Sequence, residues 1–260
     1  MNAWRTNKYI IGTILPIVIL IVWQLIATFN ILPKQLLPSP IDIVLAFIRL
    51  IQSGELLINL YTSLGRAAAG FLLGATLGVG FGLIVGFSRF SEFLIDPTIQ
   101  LLRMIPHLAI LPLFILWFGF GESSKILIIA SGAFFPVYIN TFLGIRSVDY
   151  KLIEVSRVLE FSKWKQITKV IIPAAMPNIL LGVRLSMGMA WLSLIVAELM
   201  GATSGVGYMI SNAREFSQTD VVFVGIVIFA CVGKITDSLV HLLEKRLLRW
   251  RDNYEGFDVG

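Results

Sequence analysis

Long apolar stretches, separated by short polar turns, constrain this chain more than any other feature. A helix needs about 20 apolar residues to cross the hydrocarbon core of a bilayer. Six segments approach that length: Tyr9–Phe29, Ser63–Phe87, Ile99–Phe118, Ile126–Phe142, Leu180–Val196 and Val221–Leu243. Only helices and closed barrels satisfy the backbone in lipid. Barrel strands would alternate apolar and polar residues over about ten positions, and these runs do not alternate. Composition agrees: the chain is 57% hydrophobic and 14% charged, against about 25% charged in soluble domains. That excludes a soluble enzyme, a disordered chain and a collagen-like fibre. Cys231 is the single cysteine, so no intrachain disulfide forms. The expected fold is an all-α integral membrane protein with six transmembrane helices in one domain spanning residues 1–260.

Two of the runs carry local signals. Pro106 and Pro112 interrupt the third, which should kink there. The first follows Arg5 and Lys8, as a signal peptide would. It ends in Asn30-Ile31-Leu32-Pro33 with no small-residue cleavage site, and is read as a retained span.

Basic residues set the orientation. Of the 21 Lys and Arg, thirteen fall on one side: Arg5, Lys8, Arg89, Arg146, Lys151, Arg157, Lys163, Lys165, Lys169, Lys245, Arg246, Arg249 and Arg251. Lys34, Arg49, Lys125 and Arg214 fall on the other. The positive-inside rule puts both termini and the loop between the fourth and fifth spans in the cytoplasm. The net charge of +5 is thus a mark of topology, and no nucleic-acid partner is expected. On the outer side, Pro33, Pro38 and Pro40 lead into an amphipathic helix over Asp42–Ser53, expected at the membrane surface or against the spans.

The second span carries a ladder: Gly70, Gly74, Gly78, Gly82 and Gly86. A spacing of four keeps these residues in one slowly spiralling groove. Such rows let another helix approach closely, within the chain or at a seam between two copies.

The loop Arg146–Pro177 is too patterned for a linker. Ser147 or Asp149 suits a helix start. Leu152, Val155, Ser156 and Leu159 follow at helical spacing. Ser162 suits a second start, with Trp164, Ile167, Val170 and Ile171 apolar, and Pro173 is expected to end that helix. Two short helices folded at a turn make a knob whose apolar face needs a partner. The segment Glu154-Val155-Ser156, then Arg157-Val158-Leu159, then Glu160, and later Val170-Ile171-Ile172-Pro173, resembles the cytoplasmic loop of bacterial ABC importer permeases of the type I fold. That loop reads Glu-Ala-Ala, three residues, Gly, and closes on Ile-x-Leu-Pro. Glu160 stands where the family has glycine. Either Glu160 takes the left-handed turn that glycine adopts freely, or the turn moves toward Phe161-Ser162.

The resemblance covers essentially the whole chain. Pro106-His107-Leu108-Ala109-Ile110-Leu111-Pro112-Leu113, Ile115-Leu116-Trp117-Phe118-Gly119, Glu122-Ser123-Ser124-Lys125-Ile126, Tyr138-Ile139-Asn140-Thr141 and the stretch from Asn212 to Asp220 resemble the aliphatic-sulfonate branch of that family. Taurine, nitrate and bicarbonate permeases are similar and stay open as alternatives. The resemblance implies a subunit that works as a pair, with two copies of a separate ATPase beneath and an extracytoplasmic binding protein delivering cargo. ATP and Mg would sit on the ATPase, and this chain would bind no cofactor. Glu154, Val155, Ser156, Arg157, Glu160 and Pro173 would form the ATPase-coupling loop. A stand-alone channel or intramembrane enzyme is the remote alternative.

The chain's own residues fit a subunit that does not hydrolyse ATP. There is no phosphate-binding P-loop; Gly119-Phe120-Gly121-Glu122-Ser123-Ser124-Lys125 is only superficially similar. His107, His241 and Cys231 have no metal-ligand spacing. Ser162-Lys163-Trp164-Lys165 fits an acylase pattern, but within a cytoplasmic knob it is read as non-catalytic.

A charge at bilayer depth costs about 2.5–3.5 kcal/mol on insertion scales, so each needs a reason. Arg66 is expected to snorkel toward the outer surface, and Lys234 to pair with Asp237. Glu198 is expected at the outer mouth; an acid lining an anion path would repel its cargo. Arg103 and Arg184 are candidates for an anion path because guanidinium offers several planar donors. Asn140, Trp191 and Ser193 are uncharged candidates for its lining.

Overall fold

The computed structural model describes residues 2–29, 31–106 and 109–248, with side chains from residue 14 onward. His107, Arg249, Arg251 and the side chains of Arg5 and Lys8 lie outside the described residues. Eleven helices and no strands are present among them. In chain order they are α1 (Asn2–Thr28), α2 (Pro40–Gln52), α3 (Glu55–Phe87), α4 (Arg89–Met104), α5 (Leu111–Phe118), α6 (Glu122–Arg146), α7 (Tyr150–Val158), α8 (Lys163–Gln166), α9 (Ile172–Gly201), α10 (Val206–Glu215) and α11 (Thr219–Leu247). A π-helical stretch, Ile167–Ile171, joins α8 to α9. Four helices are long and apolar enough to cross a membrane: α3, α6, the continuous Lys163–Gly201 helix and α11. α1 contributes the shorter apolar stretch Ile14–Thr28.

The expected third span is not one helix. α4 ends at Met104, and Ile105 is extended (φ −73°, ψ 123°). Proline disfavours helical geometry in the residue before it, and Pro106 follows Ile105. The chain becomes helical again at Leu111, with Pro112 in the first turn of α5 where its missing N–H does no harm. With 8 residues, α5 is about 12 Å long, too short to cross alone.

Pro173 also behaves differently from expectation. It does not end a short helix but sits in the first turn of α9. The π-helical turn just before it explains this: the Ile172 N–H donates to the Ile167 carbonyl, five residues back. The widened turn makes room for the proline ring, which would strike the carbonyl four residues back in a regular helix. The second short helix of the expected knob is therefore the start of a 39-residue helix.

The chain divides into two compact units, with α3 and α11 contributing to both. The first comprises Met1–Ser63 and Thr203–Ala230. Here α2 carries a capping box: the Asp42 N–H donates to Ser39 Oγ, and the Ser39 N–H to Asp42 Oδ2. Hydrogen bonding from Ser39 holds the Asp42 carboxyl below the usual aspartate range. Trp23 donates to the Pro38 carbonyl at 3.0 Å, tying α1 to the segment before α2. Gly205, at φ 110°, starts α10 in a conformation that needs glycine. The free N–H groups at that helix start donate to Asn59 Oδ1 at 2.7 Å and Ser63 Oγ at 2.9 Å, both on α3.

The second unit, Leu64–Ala202 with Cys231–Gly260, is built around α6. The glycine ladder of α3 faces it. A Cβ at Gly70 would come within 2.5 Å of Ile129, at Gly78 within 2.7 Å of the Phe134 carbonyl, at Gly82 within 2.6 Å of Thr141 and at Gly86 within 2.7 Å of Ile145. Gly74 meets the Ala130 backbone just as closely. The groove is thus filled by α6 of the same chain. On its other side α6 meets the small residues of α9: a Cβ at Gly182 would fall 2.7 Å from Asn140, and Ser186 Oγ donates to the Ala133 carbonyl at 2.6 Å. Lipid gives no hydrophobic drive between helices, so close backbone contact and dispersion hold this three-helix layer together. Phe134, Tyr138 and Phe142 stack along α6, and the Tyr138 hydroxyl donates to Asp96 of α4 at 2.7 Å.

Candidate functional site

Arg66, Arg103 and Arg184 all belong to the second unit, and their surroundings differ. Arg66 does not snorkel. It is 3% exposed and forked between two carboxylates: Nε and Nη2 donate to Glu122 at 2.6 Å each, and Nη1 donates to Glu198 at 2.9 Å. Glu198 is 1% exposed, so its charge is placed against Arg66 rather than at an open mouth. Lys125 adds to the cluster, donating to the Phe120 and Gly121 carbonyls and lying 3.6 Å from Glu122. Two cations and two carboxylates together carry no net charge. The group joins α3, α6 and α9, and its partners are satisfied in the way a buried ion pair requires.

Arg184 is also paired. Nε donates to Asp237 Oδ1 at 2.8 Å and Nη2 to Oδ2 at 3.3 Å, a fork between α9 and α11. Lys234 lies 3.8 Å from Asp237 and is largely exposed, so Arg184, not Lys234, is the main partner of that carboxylate. Its guanidinium is already engaged, which removes Arg184 as an open anion contact.

Arg103 is different. It lies at the end of α4, exposed, with no hydrogen bond or ion pair to any described residue. It borders an open cavity of about 760 Å³ between α6 and α9. Asn140 and Trp191 line the same cavity, so three of the five expected path residues meet there. Asn140 uses one amide N–H on the Pro136 carbonyl of its own helix, at 2.8 Å. Ser193 does not join them: it is fully buried against Gly132, and its Oγ has no hydrogen-bond partner among the described residues. Apolar walls come from Phe135, Ile139, Leu185 and Leu192. Gly188 also lines the space, and a Cβ added there would meet nothing within 4 Å.

The loop after α6 forms the second feature. Asp149 caps α7, accepting from the Lys151 N–H at 2.9 Å. α7 ends in a Schellman turn: the Glu160 N–H donates to the Arg157 carbonyl, and the Phe161 N–H to the Ser156 carbonyl. Glu160 occupies the left-handed position at φ 52°. Of the two ways to close this turn without glycine, the chain strains Glu160 and leaves the turn in place. Ser156 is buried, while Glu154, Val155, Arg157 and Glu160 are exposed. Leu152, Val155, Leu159, Phe161, Val170 and Pro173 line a groove of about 370 Å³. Val158 and Trp164 are 82% and 74% exposed nearby. An apolar surface of this kind, beside Arg157 packed over the Tyr150 ring, has no cover among the described residues.

Long apolar helices, a layer of glycine-packed spans, an open cavity and an uncovered knob define a multi-pass transport subunit of the membrane. The chain belongs to the family of binding-protein-dependent transport system inner membrane components, whose pattern matches residues 62–249. It is 63% identical over 245 residues to the putative aliphatic sulfonates transport permease protein SsuC of Bacillus subtilis (strain 168), covering 94% of this chain and 89% of that one. It is 49% identical to the protein of the same name from Escherichia coli (strain K12), covering 92% and 91%. Among solved structures, an inward-facing form of the MetNI methionine ABC transporter superposes with a TM-score of 0.63 at 17% identity, over 76% of this chain and 97% of that chain. That likeness shows the fold. The chain is therefore a permease subunit of an ABC importer in the inner membrane, not an enzyme, and such a subunit works with an ATPase and a substrate-binding protein.

Proposed function

We propose that this chain translocates aliphatic sulfonates across the inner membrane by ATP-driven alternating access, acting over residues 1–260 as one permease domain. Two copies enclose the path, two ATPase subunits sit beneath, and an extracytoplasmic binding protein delivers the cargo. Both termini and the Arg146–Pro177 segment face the cytoplasm, as the bias of basic residues supports. ATP and Mg reside on the ATPase. Its closure moves α7, and because α7 is joined to α6 and to the α8–α9 helix, that movement reaches the helices that line the cavity. Glu154, Val155, Arg157 and Glu160 present the docking surface, while Ser156 and Pro173 shape it from within.

The observation that carries the coupling role is the exposed apolar face of α7 over its groove, with Glu154 exposed on the same short helix. The sulfonate cargo is supported by the high identity to permeases named for it. Replacing Glu154 with Lys is expected to detach the ATPase while the chain still inserts, read by co-purification from membranes. Normal co-purification and normal ATP-driven uptake would contradict the docking role. Ligand analysis of the matching binding protein tests the cargo: alkanesulfonate is expected, and loading with nitrate but no alkanesulfonate would sink it.

A further inference from the structure

Building on the reading of this chain as a sulfonate permease, we infer that the cavity between α6 and α9 is its sulfonate-binding site, with Arg103 holding the headgroup and the α6 and α9 side chains holding the alkyl tail. Four observations converge. The volume, about 760 Å³, lies in the range of small-molecule sites, about 300–1,000 Å³. Arg103 is its single formally charged lining residue among the described ones, and no carboxylate among the described residues engages it. Of the three arginines first considered at membrane depth, Arg66 and Arg184 are forked by carboxylates and Arg103 is not. The remaining walls are chiefly apolar: Phe135, Ile139, Leu185 and Leu192.

That combination selects a ligand by its chemistry. A sulfonate is a permanent anion with three acceptor oxygens, which the planar donors of a guanidinium match. Asn140 retains a second amide N–H for the same headgroup, since only one N–H is used within its helix. A hydrocarbon tail would displace water from the apolar walls. A zwitterion such as taurine would bring an ammonium group to a site whose described lining has no carboxylate, and a bare inorganic anion would leave the walls uncovered.

Gly188 sets the length of tail the site accepts. It borders the cavity, and a Cβ added there would meet nothing within 4 Å, so a side chain can start from this position without striking a neighbouring residue. The test uses the complex of permease, ATPase and binding protein in proteoliposomes, with ATP-driven uptake measured for methanesulfonate, butanesulfonate and octanesulfonate. Arg103→Gln is expected to lower uptake of all three by about 10- to 100-fold, the effect of losing a charged hydrogen bond, with Arg103→Lys recovering part of it. Gly188→Leu is expected to spare methanesulfonate and lower octanesulfonate at least about tenfold, a loss of tail contacts in the site. ATPase co-purification checks that each variant assembles. Uptake within twofold of wild type in Arg103→Gln, or an equal effect of Gly188→Leu on all chain lengths, would overturn the assignment while leaving the sulfonate permease intact. A wild-type complex that moves no sulfonate would overturn both.

Discussion

The second unit uses glycine and arginine in two opposite ways. On the α3–α6 side, Gly70, Gly74, Gly78, Gly82 and Gly86 are pressed against another helix, and Arg66 is enclosed by Glu122 and Glu198. On the cavity side, Gly188 has nothing within 4 Å and Arg103 has no partner among the described residues. Residue type therefore says little about role in this membrane chain; the presence or absence of a neighbour says much more. A filled glycine groove and a neutralised arginine serve packing. An empty glycine face and an open arginine leave space and charge for something that is not part of the chain.

Substitutions can break this contrast. The largest expected effect is at Arg66. Its removal in Arg66→Met strands the buried Glu198 carboxylate, at a cost of about 3–5 kcal/mol. Thermal unfolding in detergent should show a large loss, mostly recovered when Glu198→Gln is added; wild-type stability in the single variant would mean the cluster is ornamental. Next come the ladder glycines. Gly74→Leu or Gly82→Leu should cost about 1–3 kcal/mol through overpacking against α6. Gly188→Leu, by contrast, should stay within about 0.5 kcal/mol of wild type, as unhindered substitutions do. Equal losses at Gly82 and Gly188 would erase the distinction between the two faces.

A smaller effect is expected at the end of α7. Glu160→Gly removes a side chain from a left-handed position and should stabilise the chain by about 1 kcal/mol. A lower melting temperature would show that the Glu160 side chain contributes more than its strain removes. The smallest effect concerns a partly buried polar pair outside the Arg66 cluster. The Asp42 carboxyl is held below the usual aspartate range by Ser39, so its contribution is present at neutral pH and is lost as pH falls through that lowered value. Hydrogen exchange in the first turn of α2 should quicken there; exchange that stays unchanged through that range would show that the Ser39–Asp42 contact contributes nothing to the helix start.

Much of this architecture was readable from residue order because it depends on local spacing. Apolar runs locate the spans, and the four-residue period of the glycines places them on one groove. Ser162 and Asp149 mark helix starts by their capping chemistry. The acidic start and proline ending of the Glu154 loop point to its family despite Glu160. What sequence spacing misses depends on partners far along the chain. Glu122 and Glu198 lie 56 and 132 residues from Arg66, and no local pattern announces that three helices bring them together. The same holds for Arg184, whose carboxylate is 53 residues away. Both prolines of the third run were visible, yet a kink and a full break look alike in sequence. The run became a break because Pro106 holds Ile105 extended and α4 ends at Met104. Pro173 misled for the opposite reason: a π-helical turn absorbs it, and that turn depends on the backbone register of residues 167–171.

The most direct measurement is accumulation of labelled butanesulfonate in proteoliposomes that hold this chain with its ATPase and its binding protein. Accumulation is expected only when ATP and both partners are present, and is expected to stop when any one of them is withheld. Accumulation by the chain alone, or ATP-driven uptake of nitrate with none of the sulfonate, would contradict a sulfonate-importing permease.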